Sequence, residues 1–164
     1  NEIDQWDLVI PSALVQYDMD SSPIFERFVI PALKLSKLKT NQALLTWATK
    51  SINEYLEYNK ELPFGKIYSG LVGTGDKFIS DETILKNLKN ELPDLNAIEM
   101  EGAAVAQVAM QEKVSWLIIR VISDNAKSSA AESFKEFLGK YEQLSWTLID
   151  CLLRKWPYDL FNNK

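Results

Sequence analysis

Residues 98–109, IEMEGAAVAQVA, join a short apolar strand to a helix built largely from alanine. Alanine side chains at Ala103, Ala104 and Ala106 let such a helix pack close against a sheet, so these residues predict a buried strand-to-helix junction. Glu101 stands where the helix begins, and two roles remain open for it. Its carboxylate stabilises the positive end of the helix dipole, or it contacts a ligand.

Apolar runs alternate with helical patterns on both sides of this junction. The sequence predicts four buried strands: WDLVIPSAL (6–14), KIYSGLVGTG (66–75), AIEM (97–100) and SWLIIRVISD (115–124). It predicts four helices. The first covers 40–58 with Thr40 as its N-cap, and the second covers 80–92. The third runs from Glu101 to about Lys113, and the fourth begins at a capping box, Ser129–Glu132. Residues 15–39 form a long excursion. Strands that alternate with helices indicate one α/β domain over 1–164, with a mainly parallel or mixed central sheet flanked by helices.

An acidic residue follows each predicted strand: Asp18, Asp76, Glu101 and Asp124. In parallel α/β sheets, ligands bind beyond the carboxyl ends of the strands. We therefore expect four carboxylates near one edge of the sheet, where they mark a candidate site.

The composition excludes several classes of function. The 164 residues contain no histidine, which removes histidine-based catalytic triads and histidine metal ligands and leaves carboxylates as the candidate acids and bases. A net charge of −5 and the lack of a long apolar run argue against nucleic acid and membrane partners. The single cysteine indicates a reducing, cytoplasmic setting. We expect no metal and no cofactor.

Three short motifs each allow more than one interpretation. GLVGTGD (70–76) lacks the spacing of a phosphate-binding loop, so its glycines are better explained by close backbone packing. DMDSS (18–22) fails as a calcium loop because Pro23 replaces the required glycine. A solvated acidic turn is favoured there over an aspartyl nucleophile. RVISDNA (120–126) ends an apolar strand in Asp124, which is either a general acid or an ordinary turn residue.

GTGDKFI (73–79), AIEMEGAAVAQVA (97–109) and RVISDNA (120–126), in this order, resemble the bacterial methylthioadenosine/S-adenosylhomocysteine nucleosidases of the nucleoside phosphorylase superfamily. QYDMD (16–20) and the C-terminal helix also fit, so the resemblance covers nearly the whole chain. It implies hydrolysis of an adenine N-glycosidic bond without a metal, in a role in purine or methionine salvage.

The resemblance also implies roles for individual residues. Asp124 matches the acid that protonates the purine at N7, and Ser123 matches the residue that orients this acid. Phe78 matches the aromatic ring that stacks on adenine, and the backbone of Ile79 is expected to contact the adenine edge.

The sugar site is implied in the same way. Met100 and Glu101 match the ribose-binding pair, and Glu101 would accept hydrogen bonds from the ribose hydroxyls. Glu99, beside this pair, is included among the predicted substrate-binding residues.

The sequence also departs from the family. Family members are longer, and their first third, which carries the acid thought to activate water, has no counterpart in this sequence. The chain is then either completed by another polypeptide or a truncated relative. The resemblance implies a homodimer in which residues 16–31, including Ile24, Phe25 and Pro31, reach the neighbouring subunit's pocket.

Two other functions stay open. A nucleoside phosphorylase would need a cationic phosphate site, for which only Arg120 and Lys77 lie near the motifs. A non-catalytic nucleoside-binding or dimerising fragment is favoured by the missing water-activating acid.

Overall fold

The computed structural model of the protein describes residues 3–124 and 130–158, with the side chains of residues 130–133 left out. Strands and helices alternate along most of this length, as the hydrophobic pattern predicts. The elements are β1 (Leu8–Val9), β2 (Ala13–Gln16), β3 (Leu38–Lys39), α1 (Gln42–Tyr58), β4 (Ile67–Tyr68), β5 (Leu71–Thr74), α2 (Glu82–Glu91), β6 (Leu95–Glu99), α3 (Gly102–Gln111), β7 (Arg120–Val121) and α4 (Ala130–Arg154).

The strands form two sheets with both parallel and antiparallel pairs. One sheet has the order β4-β1-β7 and the other the order β3-β2-β5-β6. The pairs β1–β4, β2–β5 and β5–β6 are parallel, whereas β3 and β7 run antiparallel to their neighbours. This mixed arrangement flanked by helices confirms the predicted α/β class.

The first two predicted strands are each divided in two. Pro11 has no backbone N–H, and it lies between β1 and β2 where three residues, 10–12, oppose only residues 69 and 70. The carbonyl of Pro11 instead accepts a hydrogen bond from the buried Thr40 hydroxyl at 2.6 Å. Each of these two chain segments therefore begins in the three-stranded sheet, as β1 or β4, and continues in the four-stranded sheet, as β2 or β5.

The helix ends differ from the prediction at one position. Asn41, and not Thr40, caps α1, since its side chain accepts hydrogen bonds from the backbone of Ala43 and Leu44. Thr40 is unavailable because its hydroxyl is used by Pro11. Asp81 caps α2. In the capping box proposed for α4, Ser129 and the side chain of Glu132 lie outside the described part of the chain.

Three apolar clusters fill the interior. One packs α3 against the four-stranded sheet, the second packs α1 and α4 against β1 and β4, and the third lies between β5, β6 and α2. None of the helices in the described ranges combines the length and the hydropathy needed to cross a membrane.

The fourth predicted strand is much shorter than expected. Only Arg120–Val121 of the segment 115–124 pairs with another strand, namely β1. Because β7 is antiparallel to β1, the argument from carboxyl ends of parallel strands does not apply to Asp124.

Candidate functional site

Glu99, the last residue of β6, has a carboxylate that is only 8% exposed. It accepts hydrogen bonds from the backbone N–H of Gly102, at 2.9 and 2.8 Å to its two oxygens, and from that of Glu101 at 3.2 Å. These N–H groups lie at the start of α3, where helices leave donors without intrahelical partners. Glu99 therefore caps α3 from the preceding strand, an arrangement that the sequence pattern alone did not reveal.

Thr74 ties this junction to the neighbouring strand β5. Its buried hydroxyl donates to Glu99 and accepts a hydrogen bond from the Ala103 N–H at 2.8 Å. Sequence reasoning missed Thr74, because a threonine at the end of a strand carries no local signal for a partner 29 residues away. One hydroxyl thus couples β5, β6 and α3.

Arg120 in β7 bridges two glutamates of the site. One guanidinium nitrogen donates to both Glu99 and Glu101. Its Nε is buried and has no hydrogen-bond partner among the described residues. The arginine therefore links the antiparallel strand β7 to the strand-to-helix junction and offsets part of the junction's negative charge.

Glu101 and Met100 are the solvent-exposed residues of the strand-to-helix junction. The Glu101 side chain is 67% exposed, in contrast to that of Glu99. Met100 is exposed as well. A carboxylate and a thioether therefore face solvent at the start of α3, where a ligand has access to both.

Asp124 lies three residues beyond β7 and is partly buried. Its Oδ2 accepts a hydrogen bond from the Ser123 hydroxyl at 2.7 Å. The Ser123 carbonyl accepts a hydrogen bond from the Gln5 side-chain amide at 2.6 Å, which holds this segment against the beginning of the chain. The Ser123 hydroxyl therefore fixes the position of this carboxyl oxygen.

The four predicted carboxylates lie in separate local arrangements. Asp18 accepts a hydrogen bond from the Asp76 backbone at 2.8 Å, which joins the turns after β2 and β5. Glu101 lies with Arg120, and Asp124 follows a strand of the other sheet. The expectation of a shared edge therefore holds for the turns after β2, β5 and β6, because these strands are parallel and end in register. Asp124 follows an antiparallel strand instead.

The turn after β5 carries the predicted base-binding residues. The ring of Phe78 is half-exposed and meets Phe134 of α4 edge-on, with ring centroids 6.1 Å apart. Ile79 is buried in the cluster between β5, β6 and α2, so its side chain anchors the turn. An open aromatic face next to a fixed backbone suits a flat heterocycle.

The excursion after β2 is ordered by local turns. Asp20 accepts a hydrogen bond from the Ser22 backbone at 2.9 Å, and the side-chain and backbone hydrogen bonds of Ser22 lower the pKa of Asp20. This exposed carboxylate supports the interpretation of DMDSS as a solvated acidic turn. Ile24 is exposed, whereas Phe25 and Pro31 are half-buried.

Comparisons with known proteins place this geometry in a family. The model of the Phosphorylase superfamily matches residues 1–154. The 5′-methylthioadenosine/S-adenosylhomocysteine nucleosidase of Shewanella sediminis (strain HAW-EB3) is 33% identical over 149 residues, which are 91% of this chain and 62% of that protein. The chain thus spans less than two thirds of this curated relative.

Solved structures agree with the sequence match. The crystal structure of the methylthioadenosine/S-adenosylhomocysteine nucleosidase from Colwellia psychrerythraea 34H with adenine has a TM-score of 0.80 at 28% identity, over 93% of this chain and 61% of that one. Futalosine hydrolase of Helicobacter pylori strain 26695 has a TM-score of 0.79 at 29% identity, over 93% and 62%. With the family model matched over nearly its whole length, the chain belongs to the phosphorylase superfamily.

Proposed function

We propose that this chain carries the base and ribose sites of an N-glycosidase that hydrolyses the adenine glycosidic bond of 5′-methylthioadenosine and S-adenosylhomocysteine. The observation that carries the proposal is the 2.7 Å hydrogen bond from Ser123 to Asp124, in the segment that follows the short strand β7. The relatives named above, which are nucleosidases and a hydrolase, support the same reaction class.

Asp124 acts as the general acid. Adenine leaves poorly as an anion, so a carboxylic acid that protonates the purine at N7 lowers the barrier to bond cleavage. The Ser123 hydroxyl donates a hydrogen bond to one carboxyl oxygen and thereby orients this acid.

Glu101 and Met100 bind the ribose. The exposed Glu101 carboxylate accepts hydrogen bonds from the sugar hydroxyls, and its negative charge stabilises the oxocarbenium-like transition state. Met100 packs on the apolar face of the ring. Glu99 was predicted to bind substrate, but its two oxygens already accept hydrogen bonds from protein donors. We therefore assign it a positioning role for Arg120 and α3.

Phe78 stacks on the adenine ring, and the backbone of Ile79 contacts the adenine edge. Burial of the Ile79 side chain leaves its peptide groups as the part that a base can reach. The half-exposed Phe78 ring provides the stacking surface.

Water is favoured over phosphate as the nucleophile. A phosphorylase needs a cation that is free to bind an anion, and two carboxylates already pair with Arg120. Because that pairing neutralises the arginine, Arg120 offers phosphate little attraction.

The biological setting follows from the same proposal. We place the enzyme in the cytoplasm and in methionine salvage, as a homodimer in which Ile24, Phe25 and Pro31 line the neighbouring subunit's substrate pocket. Ile24 is exposed and therefore accessible to a contact of this kind.

The test is adenine release from methylthioadenosine without phosphate, next to calorimetric binding of adenine. We expect Asp124→Asn to lower turnover by about 10²–10⁴-fold while adenine binding is largely kept. Asp94→Asn, an exposed carboxylate before β6, serves as the control and should leave turnover unchanged. Turnover that survives in Asp124→Asn would remove Asp124 from the acid role.

Futalosine is the next substrate to test, because a futalosine hydrolase matches the fold as well as the nucleosidases do. Binding of adenine by the unmodified chain without any turnover would favour the non-catalytic alternative.

A further inference from the structure

The turn after β5, which carries the predicted base-binding residues, is held at three consecutive positions. The Gly75 N–H donates to the carbonyl of the last residue of β6 at 3.1 Å. The Asp76 N–H donates to Oδ2 of Asp18 at 2.8 Å. The Lys77 carbonyl accepts a hydrogen bond from the Tyr17 hydroxyl at 3.2 Å. Two of these three hydrogen bonds are therefore made by neighbouring residues that directly follow β2.

The ring of Tyr17 also shapes this turn by direct packing. The ring is buried, and a Cβ added at Gly75 would lie 2.2 Å from its Cζ. Burial, together with the nearby charge of Asp18, raises the pKa of Tyr17, so the hydroxyl stays protonated at neutral pH and can donate. Tyr17 therefore fixes the turn through both its ring and its hydroxyl.

Phe78 and Ile79 directly follow the three held positions. The side chains of Ile79 and Tyr17 belong to the same buried cluster, so the turn is anchored beyond Phe78 as well as before it. The half-exposed ring of Phe78 lies between these two anchors. A ligand that contacts Phe78 and the Ile79 backbone therefore meets atoms whose positions depend on Tyr17 and Asp18.

We propose that Tyr17 and Asp18 are positioning residues for base recognition. They fix the backbone of residues 75–77, so that Phe78 and Ile79 present one arrangement to a flat purine. The inference rests on the proposed function, since it takes Phe78 and Ile79 as the base site. A site that is ordered before the ligand arrives loses less conformational entropy on binding. The two hydrogen bonds therefore increase the affinity for the base.

The order of the turn affects specificity more than stacking. Stacking on an aromatic ring accepts different bases, whereas a hydrogen bond to a base edge weakens steeply when its geometry is poor. Adenine has an amino group on the edge proposed to contact the Ile79 backbone, and purine has the same rings without that group. Adenine binding should therefore depend on Tyr17 and Asp18 more strongly than purine binding does.

The experiment begins with amide hydrogen exchange on the 164-residue chain without ligand. In Asp18→Ala, exchange at the Asp76 amide should become at least about tenfold faster, because its acceptor is removed. Exchange at the Gly75 amide, whose acceptor lies in β6, should stay within about twofold. This comparison separates local loosening of the turn from global destabilisation, which would speed up exchange at both amides.

Calorimetry then compares the binding of adenine with that of purine. Asp18→Ala and Tyr17→Phe should each weaken adenine binding by about 3–10-fold, the factor that corresponds to one hydrogen bond, and purine binding by less than about twofold. Asp18→Asn keeps an acceptor oxygen and should retain most of the adenine affinity. Asp20→Ala is the matched control and should change neither affinity, because the Asp20 carboxylate accepts its hydrogen bond from Ser22 in its own turn.

Unchanged exchange at Asp76, equal losses for adenine and purine, or equal weakening by Asp20→Ala would overturn the inference. Adenine binding that neither Asp18→Ala nor Tyr17→Phe weakens would overturn it as well, and would leave the proposed function in place. Absence of adenine binding by the unmodified chain would contradict the proposed function and with it the role in base recognition. The exchange comparison would then still decide whether Asp18 holds the turn.

Discussion

At the residue scale, two glutamates share one arginine but lie in different surroundings. Glu99 is enclosed and accepts hydrogen bonds from a hydroxyl and two backbone N–H groups, whereas Glu101 is mostly exposed. Exposed ion pairs contribute little to stability because water screens them, while a buried carboxylate with several donors contributes far more. The same residue type therefore serves folding at one position and ligand binding two positions later.

This difference predicts unequal effects of the same substitution. Glu99→Gln should lower the free energy of unfolding by about 2 kcal/mol, because an amide nitrogen then faces N–H donors. Glu101→Gln should lower it by less than about 1 kcal/mol. Urea denaturation of both variants checks this prediction, and equal losses would contradict the capping role of Glu99.

At the element scale, space around glycine decides whether a side chain is tolerated. A Cβ added at Gly75 would lie 2.2 Å from the Tyr17 ring, whereas one added at Gly139 in α4 meets nothing within 4 Å. Close packing of β5 on the turn after β2 therefore requires the first glycine. The second glycine only loosens a helix.

Two alanine substitutions test this contrast. Gly139→Ala should raise the free energy of unfolding by about 0.5–1 kcal/mol through helix propensity. Gly75→Ala should lower it by about 1–3 kcal/mol, because the Tyr17 ring has to move. Thermal denaturation of both variants shows whether each substitution raises or lowers the free energy of unfolding. A more stable Gly75→Ala variant would show that the Tyr17 ring moves without cost.

The contact between α1 and α4 has a pH dependence of its own. Cys151 is buried at this contact, with its Sγ 3.6 Å from the Ser51 carbonyl, and burial raises the pKa of the thiol. The unfolded thiol ionises from about pH 8.5, while the folded one stays neutral to higher pH. The stabilisation that follows from the raised pKa of the Cys151 thiol is therefore fully present below about pH 8.5. It is lost as the pH rises further, when the unfolded thiol ionises and the folded thiol does not.

We expect the free energy of unfolding to fall between pH 8 and about 9.5 more steeply in the unmodified chain than in Cys151→Ala. Urea titrations at the two pH values supply the comparison of slopes. The pKa of Tyr17 is also raised by burial, but its contribution is common to both chains and cancels in the comparison. Parallel slopes would mean that the thiol does not titrate differently in the two states.

At the scale of the whole molecule, the candidate site draws on both sheets. Glu99 and Glu101 belong to the junction after β6, Thr74 to β5, and Arg120 to β7 of the other sheet. Arg120 thus connects the two sheets at the proposed substrate site.

Local patterns in the sequence determined the α/β class, the four helices of the described residues and the residues of the strand-to-helix junction. Apolar periodicity and capping side chains involve residues that are close in sequence, so they can be predicted without knowledge of the tertiary structure. Tertiary structure alone decided the break at Pro11, the direction of β7 and the cluster of Thr74, Glu99 and Arg120. These residues lie 21 and 25 positions apart in sequence, and only strand pairing brings them within hydrogen-bond distance.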